Sequence, residues 1–391
     1  MAALLKMFVP TNYSLGVVMA LGALVCWGSW SVTLVLATSK AEGMPFQLYY
    51  SNFTMSFLVT GFLVGLLGGS LGSGGEHYDF HTPFLEEISG TGHPVECYIW
   101  GMLGGVVWNL ANILLCKGIS MMGNAIGFPL CVGLGMVTGA IVAYVQDPKS
   151  ELTFLVPGVI VALMGICTVG FLSYRKEREV EFRRQGSGTS GSDESSEAES
   201  GETSGNAESG PDQIDVEVPA KAAPAPGLMR KLVVCILGGL LLGFSNIGVG
   251  KATSKPCLLS PYANQFHFSV GVFISSLVVL PIITSFPIEG GESSQIARVF
   301  RGYRHVERRQ HLLAILGGFI LCMGFFFFNL GNKSMNLTVS YCIGQSAPLV
   351  GILWGTFFFK EFAGTSEKVW GLVPVVCILF AGAIILIAAA G

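Results

Sequence analysis

The sequence predicts an all-α integral membrane protein, with ten transmembrane helices arranged as two inverted five-helix repeats. Composition, recurring apolar runs and a tetrapeptide that occurs twice carry this expectation. Of 391 residues, 51% are apolar and only 12% charged, against about 25% charged in a soluble domain. Lipid is therefore the main solvent. A formal net charge of −3 gives no footing to a nucleic-acid partner, and the charges are clumped rather than spread.

Apolar runs of roughly 20 residues, long enough to cross about 30 Å of hydrocarbon as helices, fall at about 14–37, 45–68, 97–117, 119–145, 153–173, 230–251, 262–287, 311–332, 335–359 and 369–390. The first is too long for the apolar core of a secretory signal and has only Lys6 ahead of it, so it reads as an uncleaved helix.

Ala37-Thr38-Ser39-Lys40 recurs as Ala252-Thr253-Ser254-Lys255, an offset of 215 that also relates Gly28 to Gly243. At 216, Pro45 meets Pro261, Gly101 meets Gly317 and Lys117 meets Lys333; at 217, Ile126-Gly127 meets Ile343-Gly344 and the triplet at 155–157 meets that at 372–374. Such slow drift across a whole half indicates duplication. Five helices is an odd number, so the second copy enters the membrane from the opposite side, as in many secondary transporters.

The basic residues orient the bundle. Of 22 Lys and Arg, only Lys6, Lys149, Lys251, Lys255 and Lys333 fall on the side of the N-terminus. The positive-inside rule then places both termini outside or in a lumen and the opposite loops in the cytosol. The expected units are a first repeat over 1–173, a linker over 174–229 and a second repeat over 230–391. After a basic start the linker is acidic and poor in apolar residues, so it is expected to stay disordered. It reads as a tether more readily than as a phosphorylation switch at Ser196, near Glu199.

His77, His81 and His93 share an external loop with Glu76 and Asp79, where solvated residues are the commoner explanation than a metal site. The ten cysteines lack metal-ligand spacing and read mostly as small apolar residues. Cys97 and Cys257 alone fall at a membrane face, the same one, and their pairing stays open.

The stretches 104–130, 150–166 and above all 346–362, with Ala347-Pro348-Leu349-Val350, Trp354-Gly355 and Glu361-Phe362, resemble the ureide permeases of the drug/metabolite transporter superfamily. The resemblance runs with gaps over both halves. It implies a ten-helix carrier for ureides such as allantoin and for oxo-heterocycles such as uracil, with proton coupling or facilitated diffusion as alternatives. Plant members carry a nucleotide-binding-like loop. Here Gly186 and Gly191 have its spacing, but Ser192-Asp193 follow, so no lysine meets a phosphate. No cofactor is expected.

Polar residues inside a bilayer trace the path of a cargo. All 25 Asp and Glu fall in loops or at helix ends; Lys117, Lys251 and Lys333 sit where they can snorkel. The remaining candidates are Trp27 and Trp30 in the first helix, Tyr50 in the second, Trp108, Asn109 and Asn112 in the third, Asn246 in the sixth, Asn264 and His267 in the seventh, Asn329 in the eighth, and Tyr341 and Gln345 in the ninth. Amides donate and accept, matching the alternating N–H and C=O edge of a ureide, and aromatic rings cover a flat face. Interhelical amides also hold bundles together, and Tyr49 and Tyr50 compete with a reading as interface anchors. Gly133, Gly135 and Gly139 read as packing contacts, Pro129 and Pro348 as matched bends, and Glu361 as part of an ion pair. If protons drive uptake, His267 is the expected carrier, since an imidazole is the one ionisable group expected inside a span whose ordinary pKa lies near neutrality.

Neither a pair of intramembrane carboxylates nor H-E-x-x-H is present, which argues against an enzyme. A carrier of a small neutral nitrogen-rich metabolite, one repeat rocking against the other, is the expected function. A sugar carrier of the same superfamily and a non-transporting receptor or scaffold are the alternatives.

Overall fold

The computed structural model describes residues 8–38, 43–71, 84–90, 92–122, 127–188, 227–288, 293–360 and 362–391. Lys6, Lys40, Glu76, His77, Asp79, His81, Ile126 and Glu361 lie outside these. So do linker residues 189–226, with Gly191, Ser192, Asp193, Ser196 and Glu199.

The described residues form helices without strands. In order they are α1 (Tyr13–Thr38), α2 (Phe46–Leu71), α3 (Phe84–Ile88), α4 (Val95–Met122), α5 (Gly127–Gln146), α6 (Leu152–Gly188), α7 (Leu228–Thr253), α8 (Pro261–Ser285) and α9 (Ile296–Arg301). There follow α10 (Arg308–Ser334), α11 (Leu337–Gly344), α12 (Pro348–Leu353), α13 (Glu367–Trp370) and α14 (Leu372–Ala388). Nine apolar helical segments are long enough to cross a membrane, and the apolar part of α5, Leu130–Gln146, is shorter. Large apolar side chains such as Val25, Leu67, Ile160, Leu277, Ile378 and Ile385 face outward, whereas Asn109, Asn264, Gln265 and Ser269 are fully buried. This inversion of a soluble protein's surface is what lipid demands.

Local sequence sets the ends. α7 stops at Thr253 of the second tetrapeptide, and the described part of α1 runs to the matching Thr38. The α8 helix starts where Ser260 Oγ accepts from the Ala263 N–H, with Pro261 supplying a preset φ. Three expectations need correction. The third span runs on as helix to Met122, through residues expected to open the fourth. The fifth continues as helix through the basic stretch to Gly188, so the linker's first residues are ordered; Arg, Lys and Glu are good helix formers. The ninth span is broken at 345–347, because Pro348 restarts it as α12, which then winds into a π turn over Trp354–Phe358.

The sequence halves interleave. α1 packs along α10, α4 along α7, α5 against α7, α2 against α10, α8 against α4 and α11 against α1, while α6 and α14 pair at one side. Two groups result: α4, α5, α7 and α8 in one, α1, α2, α10 and α11 in the other. Each packed group draws helices from both halves. Glycine permits the tightest approaches: a Cβ at Gly105 would collide with the Phe268 carbonyl oxygen, and one at Gly318 with that of Phe53.

Cys97 and Cys257 form a disulfide that ties the start of α4 to the α7–α8 loop. Beside it, Glu87 of α3 is buried and accepts from Ser260 N (2.7 Å) and Oγ (2.5 Å), with His93 Nε2 3.5 Å away. Burial pushes the Glu87 carboxyl above its ordinary range, opposed by the Ser260 bonds and by His93 and Lys333. Among the described residues no three His, Cys, Asp or Glu are grouped to hold a metal. Lys117 does not snorkel: it is 5% exposed, with Nζ 4.4 Å from the centre of the Phe46 ring. Neither Tyr49 nor Tyr50 is an interface anchor; both are fully buried.

Candidate functional site: an aromatic cavity between two helix groups

A cavity of about 60 Å³ lies between the two groups, near the middle of the long helices. Trp27 and Trp30 of α1, Leu321, Phe325 and Phe328 of α10, and Tyr341, Gln345 and Ala347 around α11 form one side. Trp108, Asn112 and Leu115 of α4, Val132 of α5, and Leu242, Ser245, Asn246 and Val249 of α7 form the other, with Phe268 of α8 between them.

The walls are ring faces and edges. Trp108 meets Phe325 edge-on at 5.1 Å, Phe268 lies 4.8 Å from Phe325, and Trp27 lies 5.1 Å from Phe325. Such contacts hold the rings at fixed angles. The described lining carries no Asp, Glu, Lys, Arg or His, so the site is electrically neutral. Two buried donors in it, Trp27 Nε1 and Asn246 Nδ2, have no partner in the protein. A buried N–H without an acceptor costs about 1–3 kcal/mol, so the cavity favours a guest with carbonyl oxygens. Asn112 commits Nδ2 to Tyr50 Oη (3.0 Å), and Tyr341 Oη donates to the Gly135 carbonyl (2.9 Å).

Seven candidates named from the sequence meet at this cavity: Trp27, Trp30, Trp108, Asn112, Asn246, Tyr341 and Gln345. Five do not line it. Tyr50 and Asn109 stand one layer behind Asn112: Tyr50 Oη donates to Asn109 Oδ1 (2.8 Å), and Asn109 Nδ2 donates to Ser275 Oγ (2.9 Å). Asn264 and Asn329 bond to each other (2.9 Å) in a sealed cluster between α8 and α10. His267 packs 4.8 Å from the Tyr98 ring, with Nδ1 on the Ala263 carbonyl (2.8 Å).

A sequence model of the ureide permease family matches residues 252–390. The chain is 23% identical over 394 residues to ureide permease 2 of Arabidopsis thaliana, covering 94% of this chain and 95% of that one. It is 22% identical over 387 residues to ureide permease 1 of the same plant, with the same coverage. The chain is thus similar to ureide permeases along nearly its whole length, and to the family's sequence model over 252–390. With nine helical segments among the described residues apolar and long enough to span, it is a multi-pass integral membrane protein similar to a family of permeases.

Residue-by-residue reading passed over Leu242, Ser245, Phe325 and Phe328, all apolar or small. A signal was nonetheless present. The 215-residue offset carries Trp27 and Trp30 onto Leu242 and Ser245, and the 216-residue offset carries Asn109 and Asn112 onto Phe325 and Phe328.

Proposed function

We propose that the protein is a secondary carrier that moves a small, neutral, planar cargo rich in N–H and C=O groups. An allantoin-like ureide or a pyrimidinedione such as uracil fits this description. The observation that carries the reading is the uncharged aromatic cavity with two unpartnered buried donors, Trp27 Nε1 and Asn246 Nδ2. Carbonyl oxygens of the cargo would accept from these. Asn112 and Gln345 would meet its N–H groups, and ring faces would cover its flat sides.

Read as ten helices in two inverted repeats, the chain suits alternating access. Exchanging the halves turns the pairing of α1 with α10 into that of α7 with α4, and the pairing of α2 with α10 into that of α8 with α4. A site between two such groups opens first to one side and then to the other. In this reading the units that rock are the two interleaved groups. The termini face outside or a lumen and residues 174–229 the cytosol; a disulfide at the N-terminal face suits an oxidising compartment there. Proton coupling is assigned to His267, which stands beside the path rather than in the cavity.

Purified protein in liposomes, loaded with unlabelled cargo and exposed to labelled allantoin, uracil or a sugar panel, tests the proposal. Saturable exchange of a ureide or pyrimidinedione is expected. Exchange confined to sugars would move the chain to the sugar-carrier reading, and no exchange of any cargo would favour a receptor or scaffold.

A further inference from the structure

Two amide clusters bridge the helix groups, one on each side of the cavity. Toward the end where α2 begins, Tyr50 of one group bonds to Asn109 and Asn112 of the other. Toward the disulfide end, Asn264 Nδ2 of α8 donates to Asn329 Oδ1 of α10 (2.9 Å). Asn329 Nδ2 donates to Gln265 Oε1 (3.1 Å) and to the Phe325 carbonyl (2.9 Å). Gln265 Nε2 reaches Ser269 Oγ (3.3 Å) and Cys322 Sγ (3.6 Å).

The second cluster is in contact with the cavity wall. Asn329 lies one turn beyond Phe325 on α10, and Gln265 lies one turn before Ser269, next to Phe268; Phe325 and Phe268 both line the cavity. Its polar groups are not all satisfied, since Asn264 Oδ1 is fully buried without a partner. The seam it closes is the boundary between the groups. α8 is fastened to α4 by the Gly105 approach and by the disulfide at its leading loop, so a parting at this end separates α8 from α10 and from α2, against which it also packs. A parting there breaks the Asn264–Asn329 and Gln265–Asn329 bonds and frees three primary amides beside the cavity.

We propose that Asn264, Gln265 and Asn329 form a second cargo-binding station, closed on itself in this structure. It takes ureido or imide groups at the disulfide end before they reach the cavity. The inference rests on the carrier reading above. A cargo with paired N–H and C=O groups replaces the amide–amide bonds that the parting breaks; a cargo without them leaves three amides unpaired. The seam therefore selects for the same chemistry as the cavity.

Cys322 is a native reporter, fully buried and in contact with Gln265. In protein whose other free cysteines are replaced and whose disulfide is kept, labelling by a small water-soluble methanethiosulfonate is measured in liposomes with and without cargo exchange. Labelling at least tenfold faster during exchange is expected. In the otherwise wild-type chain, Gln265→Ala is expected to change the ratio of ureide to pyrimidinedione exchange at least threefold, whereas a purely structural amide lowers both alike. Protection of Cys322 under every condition, or an unchanged ratio with Gln265→Ala, overturns the station. If the wild-type chain moves none of the panel, the carrier reading fails instead, and labelling without cargo alone decides whether the seam opens.

Discussion

The Tyr50–Asn109–Asn112 cluster and the Asn264–Gln265–Asn329 cluster use the same chemistry in different surroundings. Both join the two helix groups by buried hydrogen bonds between side chains. The first reaches the cavity through Asn112; every amide of the second is withdrawn from it. An intramembrane amide is thus not a site or a strut by type. Its role follows from whether a cavity lies on its free side, which helix phase alone does not fix.

The harshest test of this contrast acts on the contact that holds α8 to α4 beneath both clusters. Gly105→Ala places a methyl group against the Phe268 carbonyl. Overpacking of this kind costs up to about 3 kcal/mol, and a severe loss of folded protein in size-exclusion profiles is expected. A monodisperse variant would mean that the helices part easily there.

Asn112→Ala and Gln345→Ala should each lower exchange about tenfold, as for one lost hydrogen bond of about 1.4 kcal/mol, with membrane expression unchanged. Unaltered exchange in both would show that the cavity-facing amides hold the bundle together rather than meet the cargo. Asn329→Ala strips partners from Asn264 Nδ2 and Gln265 Oε1. A loss of about 1 kcal/mol is expected, read as a lower melting temperature in detergent. Tryptophan fluorescence should still report cargo binding in the cavity; loss of that binding would erase the distinction between the clusters.

The smallest effect concerns Glu87, outside the spanning helices. Its carboxyl titrates above the ordinary value of 4.5 because it is buried. The folded state therefore holds this proton more tightly than the unfolded state does. Stability should fall as pH rises from about 4.5 through the raised value and then level off. Glu87→Gln should remove that slope from melting temperatures measured across pH.

Much of the fold was legible because lipid imposes one rule on every span: apolar outside, helical throughout. The apolar runs and the repeated tetrapeptide located the helices within a few residues. Charge counting could not reveal that α6 continues to Gly188, because a solvated helix of Arg, Lys and Glu reads like a loop once hydropathy falls. Candidate cavity residues were legible where they were large or polar, as with Trp108 and Asn112. They were missed where their contribution is only shape, as with Leu242 and Val249. Asn264 and Asn329 carry the same residue type as Asn112, and only tertiary packing separates them. The pairing of Cys97 with Cys257 was open from sequence, since a shared membrane face brings two thiols to the same depth but not to the same helix neighbours.

That disulfide also has a topological consequence. Its partners are 160 residues apart, and the ring it closes contains all of residues 174–229. A protease that cuts once within 189–226 breaks the peptide chain without separating its halves. The nicked protein would migrate as one species without reductant and as two with it. Linker cleavage thereby becomes a direct measure of whether the bond is present in the membrane where the protein resides.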